Sequence, residues 1–249
     1  MSQTLISPRL ETSELTWQTV AGMIDHTLLK PVATREQIVR LCQEAAAYRF
    51  ACAFVHQSWA ALAVSVLNGT GVKVGVPAGF PLGASFTSVK RFEAEEALRV
   101  GAVEIDMVLN IGALKSGLRH VVETDIRGVA QVVHSNGGTL KVILETSLLS
   151  IEEKILACQL ALAAGADFVK TSTGFAGGGA TSDDIALMRG VVGDKAGVKA
   201  SGGVRTAAEA LAMIRAGANR IGTSAGVSIV REMGAPEADL SGSSTISDY

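Results

Sequence analysis

Charged residues stand in this chain where buried strands should be apolar. The run 103–109 alternates Glu104, Asp106 and Val108 on one side with Ile105, Met107 and Leu109 on the other. In 139–145, Lys141, Ile143 and Glu145 share a face opposite Val142 and Leu144. Lys170 closes the run 168–170 after Phe168-Val169, and Lys199 closes 197–199 after Val198. The apolar sets suit a covering layer of helices, which turns the charges inward. Burying one such charge is costly unless it is paired. Two or three carboxylates and three ammonium groups converging on one cavity can neutralise one another. An inert ion-pair cluster is the alternative, and it suits Lys141 with Glu104. It does not suit Lys170 with Lys199, because like charges at the mouths of adjacent strands repel.

Repulsion activates an amine. A free lysine with a pKa of about 10.4 has ~1 neutral amine in 2,500 at pH 7. A second ammonium ~6 Å away, at an effective dielectric of ~20, contributes roughly 2.8 kcal/mol, or about two pKa units. Desolvation acts in the same direction. The pair therefore reads as an amine that attacks a carbonyl, beside an acid–base group that moves protons. Repulsion is symmetric, so electrostatics alone leaves open which lysine attacks.

Downstream of these runs come Thr171-Ser172-Thr173-Gly174, Ser201-Gly202-Gly203-Val204-Arg205 and Gly222-Thr223-Ser224-Ala225-Gly226. Glycines let backbone N–H groups approach an anion and hydroxyls add donors, so these loops read as a phosphate grip. Neither GxxxxGK[ST] nor a GxGxxG after the first strand occurs, which argues against a nucleotide cofactor.

Positioning these groups requires a particular frame. Eight β-rich runs, at 22–25, 50–55, 73–76, 103–109, 139–145, 168–170, 197–199 and 220–222, alternate with helical stretches. That pattern and a length of 249 residues predict an α/β fold, a (β/α)8 TIM barrel; a doubly wound open sheet is the competitor. Capping boxes at Thr34/Gln37, Ser150/Glu153 and Thr206/Glu209 mark helix starts. Gly101, Gly165 and Gly217 recur at helix-to-strand junctions, where a left-handed residue lets the chain turn. In a barrel, loops after strands seven and eight are the usual phosphate site and strand C-termini carry the chemistry. One domain covers 1–249, with the barrel over about 20–233, an extra N-terminal helix over 1 to about 18 beneath it, and a flexible C-terminal tail over about 234–249.

Composition narrows the partners. Twenty-two Lys+Arg against 24 Asp+Glu leave a net charge of −2, which provides no basic field for nucleic acid or an anionic membrane. The apolar runs are too short to span a bilayer, and the first 20 residues carry no secretory pattern. Cys42, Cys52 and Cys158 have no CxxC spacing and the four histidines form no HxH or HxxxH pair. A reducing cytoplasm and the absence of a built-in metal site are the expectations.

The blocks IDHTLLKP (24–31), GFPLGA (79–84), EIDMVLNIGALKSG (104–117), LKVILETSLL (140–149), FVKTSTGF (168–175), VKASGGVRT (198–206) and RIGTSAG (220–226) together resemble the deoxyribose-phosphate aldolase family. The resemblance implies a metal-free class I aldolase on a (β/α)8 barrel. Such an enzyme interconverts 2-deoxy-D-ribose 5-phosphate with acetaldehyde and D-glyceraldehyde 3-phosphate in deoxyribonucleotide catabolism. Lys170 then matches the Schiff-base lysine. Lys199 matches the second lysine that perturbs it, and Asp106 the carboxylate that relays protons through a water. Gly174, Gly202, Gly203, Gly222 and Ser224 fall at phosphate-binding positions. Asp25 falls near the substrate hydroxyls, with Thr171 also assigned to substrate binding. Lys141 orders Asp106 or a bound water, and Tyr249 matches a C-terminal tyrosine that reaches the active site in some members. A homo-oligomer, most simply a dimer, is expected.

The chain departs from the family pattern at two places. Phe54 stands where the family often has a cysteine near the aldehyde pocket, which removes that thiol as a target for aldehydes. Ala225 stands where a second serine often follows Ser224, which removes one phosphate donor. Two other readings compete with this aldolase: a lysine-dependent barrel aldolase for a different sugar phosphate, and a non-catalytic sugar-phosphate-binding barrel.

Overall fold

The computed structural model describes residues 15–238 and residue 240. Eight parallel strands form the centre: β1 (Ile24–Leu28), β2 (Cys52–Val55), β3 (Lys73–Ala78), β4 (Glu104–Val108), β5 (Thr139–Ile143), β6 (Phe168–Lys170), β7 (Gly197–Ser201) and β8 (Arg220–Thr223). They pair in sequential order and β8 returns to β1, so the sheet is a closed barrel and not an open doubly wound sheet. Ten α-helices among the described residues surround it. They are α1 (Trp17–Ala21), α2 (Arg35–Ala47), α3 (Ala60–Leu67), α4 (Thr87–Arg99), α5 (Ile111–Lys115), α6 (Arg119–Ser135), α7 (Ile151–Ala163), α8 (Ser182–Val192), α9 (Ala207–Ala216) and α10 (Gly226–Glu232).

Each strand is buried on both faces, and the two faces differ as alternation requires. Ile105, Met107, Leu109, Val142, Leu144, Val169 and Val198 join the apolar layer between strands and helices. Glu104, Asp106, Lys141 and Lys199 are fully buried in the interior instead. The three capping boxes form as expected, each with reciprocal bonds between the cap residue and the third helical residue. Gly101, Gly165 and Gly217 adopt φ of 100°, 92° and 117°, the left-handed turn that carries a helix end into the next strand.

The first strand lies later than expected. Gly22 is the C-cap of α1, so β1 begins at Ile24 and runs on to Leu28. Of the N-terminal helix expected over 1–18, residues 1–14 lie outside the described residues; α1 packs on α10. Tyr249 and the tail from 241 onward also lie outside them.

Candidate active site

Two inward-facing glycines make room for two aromatic rings that divide the barrel interior. A Cβ on Gly197 would lie 2.1 Å from the Phe168 ring, and one on Gly75 would lie 2.7 Å from the Phe54 ring. The Phe168 ring has the Lys141 Nζ 5.9 Å and the Arg220 guanidinium carbon 6.0 Å from its centroid. The Phe54 ring has the Lys170 Nζ at 5.0 Å and the Lys199 Nζ at 4.5 Å.

Between the rings runs a network of three carboxylates and four cations. Asp106 Oδ2 accepts from Lys170 Nζ at 2.8 Å and from Lys199 Nζ at 2.7 Å; the sum, 5.5 Å, bounds the separation of the two nitrogens. Lys141 Nζ stands 3.1 Å from Asp106 Oδ1, donates to Glu104 Oε2 at 2.5 Å, and lies 3.8 Å from Asp25. Lys199 Nζ also donates to Asp25 Oδ2. The Arg220 guanidinium closes the network by donating to Asp25 Oδ1 at 2.8 Å and to Glu104 Oε2 at 2.6 Å.

Cations outweigh desolvation at every carboxylate. Burial raises the pKa of Asp106, but Lys141, Lys170 and Lys199 hold it well below the usual carboxylate range. Asp25 is likewise raised by burial and lowered further by Arg220, Lys199 and Lys141. Glu104 is lowered by Lys141 and Arg220 against the same desolvation. Burial alone would lower Lys141, yet Asp106, Glu104 and Asp25 raise it. Lys170 differs in sign. Its amine is held down at about 8, first by burial and then by Lys199 and Lys141, against the pull of Asp106. Repulsion was expected to lead here; desolvation leads and repulsion assists.

Geometry also breaks the symmetry between the two lysines. Above the network the barrel opens into a cavity of about 370 Å³ lined by Lys170, with Lys199 behind it. Lys199 contacts two carboxylates, whereas Lys170 contacts one and shares it. The seven groups between the rings include one more cation than carboxylates, and the half-exposed Lys73 adds a further positive charge 3.4 Å from Glu104 Oε1, so deprotonating Lys170 reduces the excess. The amine that borders the cavity is thus the one the network can leave neutral.

Gly174, Gly202, Gly203, Gly222 and Ser224 all line the cavity, and Lys30 and Arg205 add two cations to its wall. Gly202 and Gly203 take φ of 86° and 82°, so the chain reverses at the mouth. The Ala225 N–H is engaged by Thr223 Oγ1 at 2.9 Å. Thr171 is placed differently from its sequence assignment. It is fully buried, and its hydroxyl donates to Ser201 O at 2.9 Å and accepts from Ser201 N–H at 3.0 Å. It therefore ties β6 to β7, and of the two threonines in this loop it is Thr173 that lines the cavity.

Glu145 is not part of the charged network. β5 ends at Ile143, and Glu145 takes a left-handed φ of 57°, which breaks the alternation that had placed it beside Lys141. Its Oε2 accepts from the Thr173 N–H at 3.2 Å and from the Thr173 hydroxyl, fixing the loop before Gly174. Arg220 was read only as the start of strand eight; its inward face, shared with Gly222, was the signal available. Lys30 and Arg205 sat inside the quoted motifs without a role.

Asp25, Cys52 and Glu104 bring possible metal-ligand atoms within 4.8 Å of one another. Both carboxylates are already engaged by Arg220, and Cys52 is kept a thiol by burial and by the charges of Glu104 and Asp25. A metal would have to displace the cations that hold this network together. Among the described residues, no helix is long and apolar enough to cross a membrane.

A family model described as DeoC/LacD family aldolase matches residues 19–233. The chain is 59% identical over 208 residues to a deoxyribose-phosphate aldolase of Streptococcus sanguinis (strain SK36), covering 84% of this chain and 94% of the relative. It is 56% identical over 212 residues to that of Bacillus subtilis (strain 168), covering 85% and 95%. The tetrameric deoxyribose phosphate aldolase of Aeropyrum pernix superposes with a TM-score of 0.81 at 34% identity, covering 87% of this chain and 91% of that one. The chain belongs to the DeoC/LacD family of aldolases.

Proposed function

We propose that this chain is a class I aldolase that reversibly cleaves 2-deoxy-D-ribose 5-phosphate to acetaldehyde and D-glyceraldehyde 3-phosphate. The observation that carries the reading is the placing of two lysine amines on one oxygen of Asp106, with only Lys170 on the cavity wall. The neutral Lys170 amine adds to the sugar aldehyde carbon, and its proton passes to the carbonyl oxygen to give a carbinolamine. Loss of water leaves an iminium, whose nitrogen draws in the C2–C3 bonding pair as the C3 hydroxyl gives up its proton. Glyceraldehyde 3-phosphate departs, and the remaining enamine is protonated and hydrolysed to acetaldehyde. Each step moves a proton, and Asp106 with Lys199 is the relay beside the reacting nitrogen.

The phosphate is held by Gly174, Gly202, Gly203, Gly222 and Ser224, with Lys30 and Arg205 supplying charge. Asp25 and Lys141 act from behind by holding Lys199 and Asp106. No cofactor is required, because the iminium is itself the electron sink. The catalytic unit is the barrel over about 20–233, supported by the family match over 19–233. Three free, buried cysteines suit a reducing cytoplasm. A homo-oligomer, most simply a dimer, and a proton-transfer role for Tyr249 complete the reading.

The test is product formation over a panel of phosphorylated aldoses and ketoses. Release of glyceraldehyde 3-phosphate from deoxyribose 5-phosphate, lost in Lys170→Ala, is expected. A preference for a ketose phosphate would transfer the chain to a different aldolase, and activity surviving in Lys170→Ala would remove the imine.

A further inference from the structure

Phe54 is the largest fully buried side chain among the described residues, and its ring lies beside both active-site amines. It projects inward from β2 and covers Gly75 on β3, its register partner. A Cβ on Gly75 would come within 2.7 Å of the ring edge, so the two residues fit as a pair. With Leu29, Cys52 and Phe80 the ring forms an apolar cluster separate from the main helix–strand layer. One aromatic ring therefore has both amines within the range at which a ring attracts a cation. Lys170 has two anchors, the shared oxygen of Asp106 and the π-system, whereas Lys199 is also held by Asp25. Asp106 alone would let the Lys170 ammonium swing about its oxygen, and the ring removes that freedom.

We infer that Phe54 is a positioning residue that holds both amines at Asp106 and stabilises positive charge on the Lys170 nitrogen, including the charge of the iminium. The inference rests on the reading of Lys170 as the imine-forming lysine. The other ionisable groups around ring and amines are Asp106 on β4, Lys141 on β5, Lys199 on β7 and Asp25 on β1, with Cys52 on the same strand as the ring. Gly75 on β3 contributes no charge. Burial first, then Glu104 and Asp25, push the Cys52 thiol well above its usual range, so it does not titrate beside Lys170.

Two effects follow from weakening the ring's negative face. The ammonium of Lys170 loses stabilisation, so the amine deprotonates at lower pH. The iminium loses the same stabilisation, so the rate on the plateau falls. A residue that only fills space produces neither.

The experiment replaces Phe54 in the full chain by mono-, di- and trifluorophenylalanine, which keep the ring's shape while draining its negative face. The readout is the pH profile of kcat/KM for deoxyribose 5-phosphate. The acid limb is expected to move down stepwise, by about half a pH unit at the trifluoro stage, while the plateau drops about threefold. Phe54→Leu, checked for folding by circular dichroism, is expected to match the trifluoro plateau. A limb and plateau unmoved across the series, a limb that rises, or Phe54→Leu at the unsubstituted rate would each overturn the inference while leaving the aldolase reading intact. Failure of the unsubstituted protein to cleave deoxyribose 5-phosphate would overturn both.

Discussion

Replacing Lys199 by methionine tests the electrostatic part of the account quantitatively. Lys170 and Lys199 donate to the same oxygen of Asp106 at 2.8 and 2.7 Å, so their nitrogens are at most 5.5 Å apart. At an effective dielectric of ~20, that separation corresponds to about 3 kcal/mol of repulsion, or roughly two pKa units. Lys170 lies at about 8 in the intact site. Removing the neighbouring charge raises it toward ~10, so the neutral fraction at pH 7 drops from about one in ten to about one in a thousand. Loss of competition for Asp106 pushes the same way.

The assay is kcat/KM for deoxyribose 5-phosphate measured between about pH 6 and pH 10, whose acid limb reports the free enzyme. The intact protein should show that limb near 8, and Lys199→Met should show it near 10, with at least ~100-fold loss at pH 7 that shrinks as the pH rises. Lost proton transfer lowers the whole curve but does not move the limb. A limb still near 8 in Lys199→Met would refute the repulsion argument for Lys199 and leave burial, with Lys141, as the cause of the lowered amine.

Further outcomes concern the scaffold and the phosphate grip. Arg220→Met removes a guanidinium from Asp25 and Glu104 and should destabilise the fold by about 3–5 kcal/mol in urea titration, as expected for a broken buried pair; a loss under ~1 kcal/mol would contradict the assigned network. Asp25, Glu104 and Asp106 all have lowered pKa values in the fold. Their contribution to stability is therefore complete above the ordinary carboxylate range near 4 and is lost as the pH falls below it. The thermal midpoint should be nearly flat from about pH 7 to 5 and fall steeply below ~4; a decline already under way at pH 6 would assign acid lability to other groups. Glu145→Ala frees the Thr173 loop and should raise KM for deoxyribose 5-phosphate about tenfold, the equivalent of one lost hydrogen bond to a charged group, while leaving KM for unphosphorylated deoxyribose unchanged. Equal rises for both sugars would separate Glu145 from the phosphate grip.

The barrel was legible because its signals are local: period-two alternation in 103–109, three capping boxes, and three glycines at helix-to-strand turns. The charged residues at 104, 106 and 141 were legible for the same reason, since alternation alone turns them inward. Glu145 defeated that reasoning because a left-handed backbone just past the strand end moves its side chain out of register. Thr171 defeated it because a threonine beside a lysine looks exposed until the hydroxyl finds the backbone of the next strand. Arg220 escaped notice because its same-face neighbour is Gly222, so no alternation of side-chain chemistry marked it. The difference between Lys170 and Lys199 lies in depth and in the number of carboxylates each touches, and sequence spacing carries neither. The priority of burial over repulsion at Lys170 has the same origin.

The central claim is that the side-chain nitrogen of Lys170 becomes bonded to an aldehyde carbon. Incubation with acetaldehyde and borohydride, followed by peptide mass mapping, reads that bond directly. The account predicts a single added ethyl group on the peptide containing Lys170, absent when deoxyribose 5-phosphate cleavage is abolished by Lys170→Ala. An adduct on Lys199 with Lys170 unmodified, or no adduct in a protein that turns over, would contradict it.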